Sequence, residues 1–171
     1  MMIKGRWEWG RVALLCCGAL WWVGEVPRGW AGSVPYCHVN QLDVQFEDPV
    51  DKPGTLLVLR NVSHQVCQLT ALPEIAFEAD GEALTVERRL PASDAGECLP
   101  PSVRVAPGDT VVSALSWEER DIARVHDCVT PLMASVILKT GVLRLVFGRQ
   151  MCTAGGDVWY LSQQPFTPRE R

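Results

Sequence analysis

Apolar and polar residues alternate with a period of two along much of this chain, and that pattern constrains its fold most strongly. Leu42, Val44 and Phe46 alternate with polar residues over 41–47, which predicts a strand with one buried face. The run 55–62 is almost wholly apolar and predicts a central strand. Because no segment alternates strands with long helices, an α/β enzyme fold is not expected.

Turn signals separate the predicted strands. Asp80-Gly81 and Thr140-Gly141 each stand between two apolar runs, which predicts two hairpins. One short helix is expected over about 117–125. The strands are expected at 41–47, 55–62, 74–79, 82–87, from 103, and at 110–116, 133–138, 142–147 and 157–162. The fold is therefore predicted to be all-β, an antiparallel immunoglobulin-like β-sandwich of about eight short strands with one short helix.

The first 31 residues are predicted to be a signal peptide. Basic residues precede an apolar run at 12–23, and small residues at Gly29 and Ala31 fit cleavage after Ala31. The run is shorter than the roughly 20 residues that a membrane-spanning helix needs. Residues 32–171 would then form a single domain with its core at about 36–168.

Two other fates of the leader are considered. Cys17 is a candidate for a lipid anchor, and an uncleaved membrane anchor is the second alternative. Cleavage removes four of the 16 basic and two of the 20 acidic residues, which leaves 12 and 18 and a net charge of −6. An acidic domain argues against nucleic-acid binding. We therefore expect an exported protein, periplasmic or extracellular, without a membrane span after cleavage.

Three segments, taken in order, resemble a known family. They are Asn61-Val62-Ser63-His64-Gln65-Val66-Cys67-Gln68-Leu69 with Pro73, then Val103–Gly108 running to Trp117, then Met151–Val158. With Cys37 near the predicted mature start, they resemble domain of unknown function 4232, a family of exported bacterial domains. The resemblance covers about residues 36–168. It implies an immunoglobulin-like sandwich and no established activity. In a bacterial chain the sequon Asn61-Val62-Ser63 predicts a polar turn.

The predicted mature chain holds five cysteines, and an exported protein is expected to form disulfides. Cys37, Cys67, Cys128 and Cys152 match positions of the family. Four cysteines allow three connectivities. We favour Cys37–Cys67 with Cys128–Cys152, and the other two stay open. Cys98, in a proline-rich loop, is expected to be the free or intermolecular thiol.

Few residues point to chemistry. Trp117, Trp159 and Tyr160 are candidates for a ligand surface that would bind a sugar or a peptide. His38, His64 and His126 each lie near a cysteine in sequence and are candidate copper or zinc ligands. Neither a Cys-x-x-Cys pair nor a Gly-x-Ser-x-Gly elbow occurs.

The favoured function is a non-catalytic binding or cell-envelope interaction module. Its partner would be a protein, peptide or glycan of the envelope, and no catalytic residue, metal or cofactor is assigned. A periplasmic copper- or zinc-binding protein is the first alternative. An envelope hydrolase is the second.

Overall fold

Short strands carry most of the regular structure in this protein. The computed structural model describes residues 33–50, 52–90, 101–118, 127–153 and 158–169, all within one unit, Ser33–Arg171. After a 3-10 turn at Val39–Gln41, the strands are β1 (Leu42–Glu47), β2 (Thr55–Asn61), β3 (Cys67–Thr70), β4 (Glu74–Ala79), β5 (Glu82–Ala83), β6 (Val86–Arg89), β7 (Ser102–Val105), β8 (Thr110–Ser116), β9 (Cys128–Val129), β10 (Met133–Leu138), β11 (Gly141–Val146), β12 (Met151–Cys152), β13 (Trp159–Gln163) and β14 (Thr167–Pro168).

Two main sheets and two small ribbons order these strands. The larger sheet has the order β1-β2-β8-β13-β6, with β14 also paired to β8. The second has the order β11-β10-β4-β5, and the ribbons are β9–β12 and β3–β7. The all-β sandwich expected from the sequence is confirmed.

The hydrophobic core draws on both main sheets. Leu57 and Leu59 of β2 and Leu161 of β13 contribute from the larger sheet, and Phe77 of β4 and Val136 of β10 from the smaller one. Each of these side chains is at most 1% exposed. Burying one such side chain contributes roughly 1.5–3 kcal/mol. Their alternation along the strands leaves the opposite faces free for polar side chains.

The hairpin at Asp80-Gly81 is confirmed, but its second strand is shorter than predicted. Both turn residues have positive φ, 53° and 84°, as a tight two-residue hairpin turn requires. Only Glu82–Ala83 returns along β4. The chain then passes through Leu84 to the larger sheet, where Val86–Arg89 pairs parallel to β13. The single strand expected over 82–87 is therefore wrong.

The other differences concern very short elements. Strands expected at 41–47, 55–62 and 110–116 are confirmed, as is the hairpin across Thr140-Gly141. The estimate of about eight strands is too low because β3, β9, β12 and β14, of two to four residues, are too short for periodicity to reveal. The predicted helix lies outside the described residues except for Trp117 and Glu118, which are not helical. The predicted leader, with Cys17, also lies outside them.

No helix in the described ranges is long and apolar enough to cross a membrane.

The polar turn predicted at Asn61-Val62-Ser63 is confirmed. Asn61 is fully buried, and its Nδ2 donates to the carbonyl oxygens of Gln65 at 2.8 Å and Val105 at 3.1 Å. Its Oδ1 accepts from the Ser63 amide at 2.9 Å and the Ser63 hydroxyl at 2.7 Å. This one side chain therefore joins the turn to β7.

Candidate ligand-binding site

Three strands of the larger sheet place polar side chains in one row on its outer face. The register opposes Arg89 of β6 to Ser162 of β13, and Ser162 to Ser116 of β8. Their neighbours Leu161 and Leu115 are 1% exposed and face the core. Since side chains alternate along a strand, the row points away from the core.

Tyr160 lies on the same outer face, two residues before Ser162. The guanidinium carbon of Arg89 lies 3.8 Å from the centroid of the Tyr160 ring, a cation–π contact. Within the described parts of the chain, the Arg89 side chain forms no ion pair and no hydrogen bond. The guanidinium therefore packs against the ring and is not paired with a carboxylate of the described residues.

Trp117 follows β8 directly and is half-buried. Its ring packs on Phe147 at a centroid distance of 5.1 Å, and its Nε1 donates to the carbonyl oxygen of Gln150 at 2.7 Å. An apolar contact and a hydrogen bond together fix the orientation of the indole.

Three clefts adjoin around these residues, and we call their combined lining the Trp117 surface. Trp117 lies between a cleft of about 380 Å³ and one of about 280 Å³, and Ser116 and Ser162 join the latter to a third of about 610 Å³. The lining consists of Asp48, Pro49, Val50, Lys52, Pro53, Gly54, Thr55, Leu56, Arg89, Ala114, Leu115, Ser116, Trp117, Glu118, Arg149, Gln150, Cys152, Tyr160, Ser162 and Gln164. The two larger volumes lie in the range of ligand-binding pockets, about 300–1,000 Å³, and the smallest lies just below it.

The charges on this surface differ in how they are compensated. Arg149 pairs with Asp48 at 2.8 Å and lies 5.4 Å from the ring centroids of Phe46 and Phe147. Burial opposes ionisation of Asp48, but hydrogen bonds from Arg149 and Thr55 outweigh it and lower the pKa of Asp48. Lys52, like Arg89, has no ion pair among the described residues.

The structure brings together two of the three predicted aromatic residues. Trp117 and Tyr160 line the same cleft. Trp159, the residue before Tyr160, faces the opposite side of the sheet and packs against the core. Its Nε1 is buried and has no hydrogen-bond partner among the described residues.

Two disulfides join the four expected cysteines in the favoured pairing. Cys37 is bonded to Cys67 and Cys128 to Cys152. Such bonds indicate an oxidising environment outside the cytoplasm. Cys98 lies outside the described residues.

The candidate metal ligands are not gathered where the structure describes them. His38 and His64 are exposed, whereas Cys37 and Cys67 beside them are buried in a disulfide and offer no thiolate. No group of three or more histidine, cysteine or acidic residues in the described ranges is arranged to hold a metal ion. His126 lies outside the described residues.

The sequence did not predict four residues of the Trp117 surface, namely Arg89, Ser116, Ser162 and Lys52. For Arg89, Ser116 and Ser162 the signal is the register of three strands that are distant in sequence, which periodicity alone does not supply. Lys52 lies in the loop between β1 and β2. The alternation of β13 does predict that Trp159 and Tyr160 face opposite sides.

Comparison with known proteins gives one match. The family model described as domain of unknown function (DUF4232) matches residues 37–145, more than half of the chain. No curated protein and no solved structure matched. The chain therefore belongs to the family of the domain of unknown function DUF4232.

Proposed function

We propose that this protein is an exported, disulfide-stabilised binding module that holds a glycan of the cell envelope on the Trp117 surface. The observation that carries the proposal is the placement of Trp117 and Tyr160 in one cleft with the hydroxyls of Ser116 and Ser162. Aromatic rings offer an apolar face to the C–H face of a sugar, and hydroxyls exchange hydrogen bonds with its rim.

The position of the cleft favours a glycan over an added peptide strand. Strand addition needs an exposed sheet edge. The side chains of Tyr160, Ser162 and Arg89 that line the cleft all lie on the outer face of the larger sheet. A ligand in this cleft would therefore contact side chains on the face of the sheet.

Binding without turnover is the second part of the proposal. A serine nucleophile is activated by an adjacent base. Within the described residues, neither Ser116 nor Ser162 has a side-chain hydrogen bond to a histidine or a carboxylate. This supports a module that holds its ligand unchanged, in the periplasm or outside the cell.

The test uses two tyrosines of equal exposure. Tyr160 is 37% exposed and Tyr36 is 38% exposed, but only Tyr160 lines the cleft. Cosedimentation with purified envelope polysaccharide would compare the wild-type protein with Y160A and Y36A. We expect Y160A to lower the apparent affinity about tenfold, the loss of roughly 1.4 kcal/mol, and Y36A to match the wild type. Equal binding by all three proteins, or none by the wild type, would contradict the proposal.

A further inference from the structure

We propose that the glycan bound on the Trp117 surface is acidic and that Arg89 holds one of its carboxylates. This inference rests on the proposed function and specifies its ligand. It depends on two observations. Arg89 and Lys52 have no ion pair among the described residues, and Trp117 lies between the clefts that they line.

Arg89 presents a guanidinium that packs against an aromatic ring of the same cleft. Its carbon lies 3.8 Å from the Tyr160 ring centroid. A guanidinium that packs its face on a ring keeps its N–H donors at its edge, where a carboxylate can accept two of them. Glu118 lines the same cleft but forms no ion pair with Arg89. The Arg89 guanidinium is therefore available to donate hydrogen bonds to the carboxylate of a ligand.

Lys52 supplies a second cation on the same surface. It lines the two larger clefts and has no ion pair among the described residues. Arg149, the third cation of the surface, forms an ion pair with Asp48 at 2.8 Å. Two cations that have no ion pair within the described ranges are unexpected on one surface of a domain whose predicted mature charge is −6. They complement a ligand with repeated negative charge.

Trp117 lies between the cleft that holds Arg89 and the cleft that holds Lys52. A chain of sugar rings crossing from one cleft to the other would pass the half-buried indole. Carboxylates on successive rings would then meet Arg89 on one side and Lys52 on the other. A polyuronic acid has this arrangement of rings and charges.

The test compares two probes with the same sugar rings, one with free carboxylates and one with the carboxyl groups esterified and uncharged. Trigalacturonic acid carries one carboxylate per ring, and its methyl ester carries none. Titration calorimetry of each probe would use the wild type, R89Q, R89K and the matched control R104Q. Arg104 is exposed, belongs to β7, and lines a different cleft.

We expect the acid to bind the wild type about tenfold more tightly than the ester, and more weakly as salt rises. R89Q should lose this preference for the acid. R89K should keep part of it, because lysine retains the positive charge but not the paired N–H donors of a guanidinium. R104Q should match the wild type. Equal binding of acid and ester, an unaffected R89Q, or no binding of either probe would overturn the inference. If the inference fails in one of these ways but Y160A still lowers binding to envelope polysaccharide, the proposed function stands without the acidic ligand. If a peptide ending in a free carboxylate binds through Arg89 and the acid does not, the glycan assignment is wrong.

Discussion

The amide of Cys152 donates a hydrogen bond to the carbonyl oxygen of Glu118 at 2.8 Å. Cys152 is also bonded to Cys128 and lines the cleft shared by Trp117 and Tyr160. One disulfide therefore lies at the edge of the candidate site. The Cys37–Cys67 disulfide lines none of the clefts that form the Trp117 surface.

This difference predicts that the two disulfides act differently on binding. Replacing either pair by alanine should lower the free energy of unfolding by about 2–4 kcal/mol, measured by urea denaturation. Only C128A/C152A should also weaken binding to envelope polysaccharide. It removes the covalent link that holds β12, and β12 carries the amide that donates to the carbonyl oxygen of Glu118. If C37A/C67A weakens binding equally at a temperature where both variants are folded, the link to the cleft is wrong.

Asn61 should be the most costly polar side chain to remove. N61A leaves the buried carbonyl of Val105 and the amide of Ser63 without their partner. We expect a loss of about 2–4 kcal/mol in the free energy of unfolding by urea denaturation. N40A, at an exposed asparagine, is the control and should change it by less than about 0.5 kcal/mol. A similar small effect of N61A would show that the turn tolerates its loss.

Gly54 is required for two independent reasons. Its φ is +91°, and a Cβ there would overlap the carbonyl oxygen of Leu115 on β8. Gly108 has a φ of +79° with open space around its Cβ position, so G108A isolates the conformational cost. We expect G108A to lower the free energy of unfolding by about 1–2 kcal/mol, measured by thermal unfolding. G54A should lower it by about 1–3 kcal/mol more than G108A does. Equal costs would show that β8 moves to accept the methyl group.

Glu47 should contribute to the pH dependence of stability. Arg169 donates two hydrogen bonds to its carboxylate, at 3.0 and 2.8 Å. Those bonds, with a lesser one from Gln45, outweigh the effect of burial and lower the pKa of Glu47 below its ordinary value of 4.5. A carboxyl group whose pKa is lower in the folded state stabilises the fold above its unfolded pKa. This contribution is lost as the pH falls from there through the folded value.

Melting temperatures from pH 7 down to pH 2 test this pair. The wild type should lose more stability below about pH 4.5 than E47Q does, by a few degrees at most because the pair is partly exposed. E74Q, at an exposed glutamate without an ion pair in the described residues, should follow the wild type. Parallel curves for E47Q and the wild type would contradict the role of Arg169.

The sequence predicts those strands that are long enough to alternate. Leu42, Val44 and Phe46 mark β1 because three apolar residues on one face exceed what chance supplies. The two-residue strands β9 and β12 carry no such pattern, and a disulfide and a hydrogen bond to Glu118 hold them instead. Their pairing depends on tertiary contacts, which periodicity does not contain.

The site is less predictable than the fold. Aromatic residue type alone identifies Trp117 and Tyr160, but not the row that joins Arg89 to Ser162 and Ser116. That row exists because the chain leaves β5, changes sheets, and pairs β6 parallel to β13. Such a crossover leaves no local trace in the residues around Leu84.

The proposed site is tested most directly by a heteronuclear NMR titration of the protein with trigalacturonic acid, following the indole N–H signals of Trp117 and Trp159. W117F and W159F assign the signals by their loss. We expect the Trp117 signal to shift and to saturate with ligand, because Trp117 lines the clefts, and the signal of the core-facing Trp159 to stay in place. If calorimetry records binding while the Trp117 signal does not move, the ligand binds elsewhere. That result would contradict the proposal that the Trp117 surface holds the glycan.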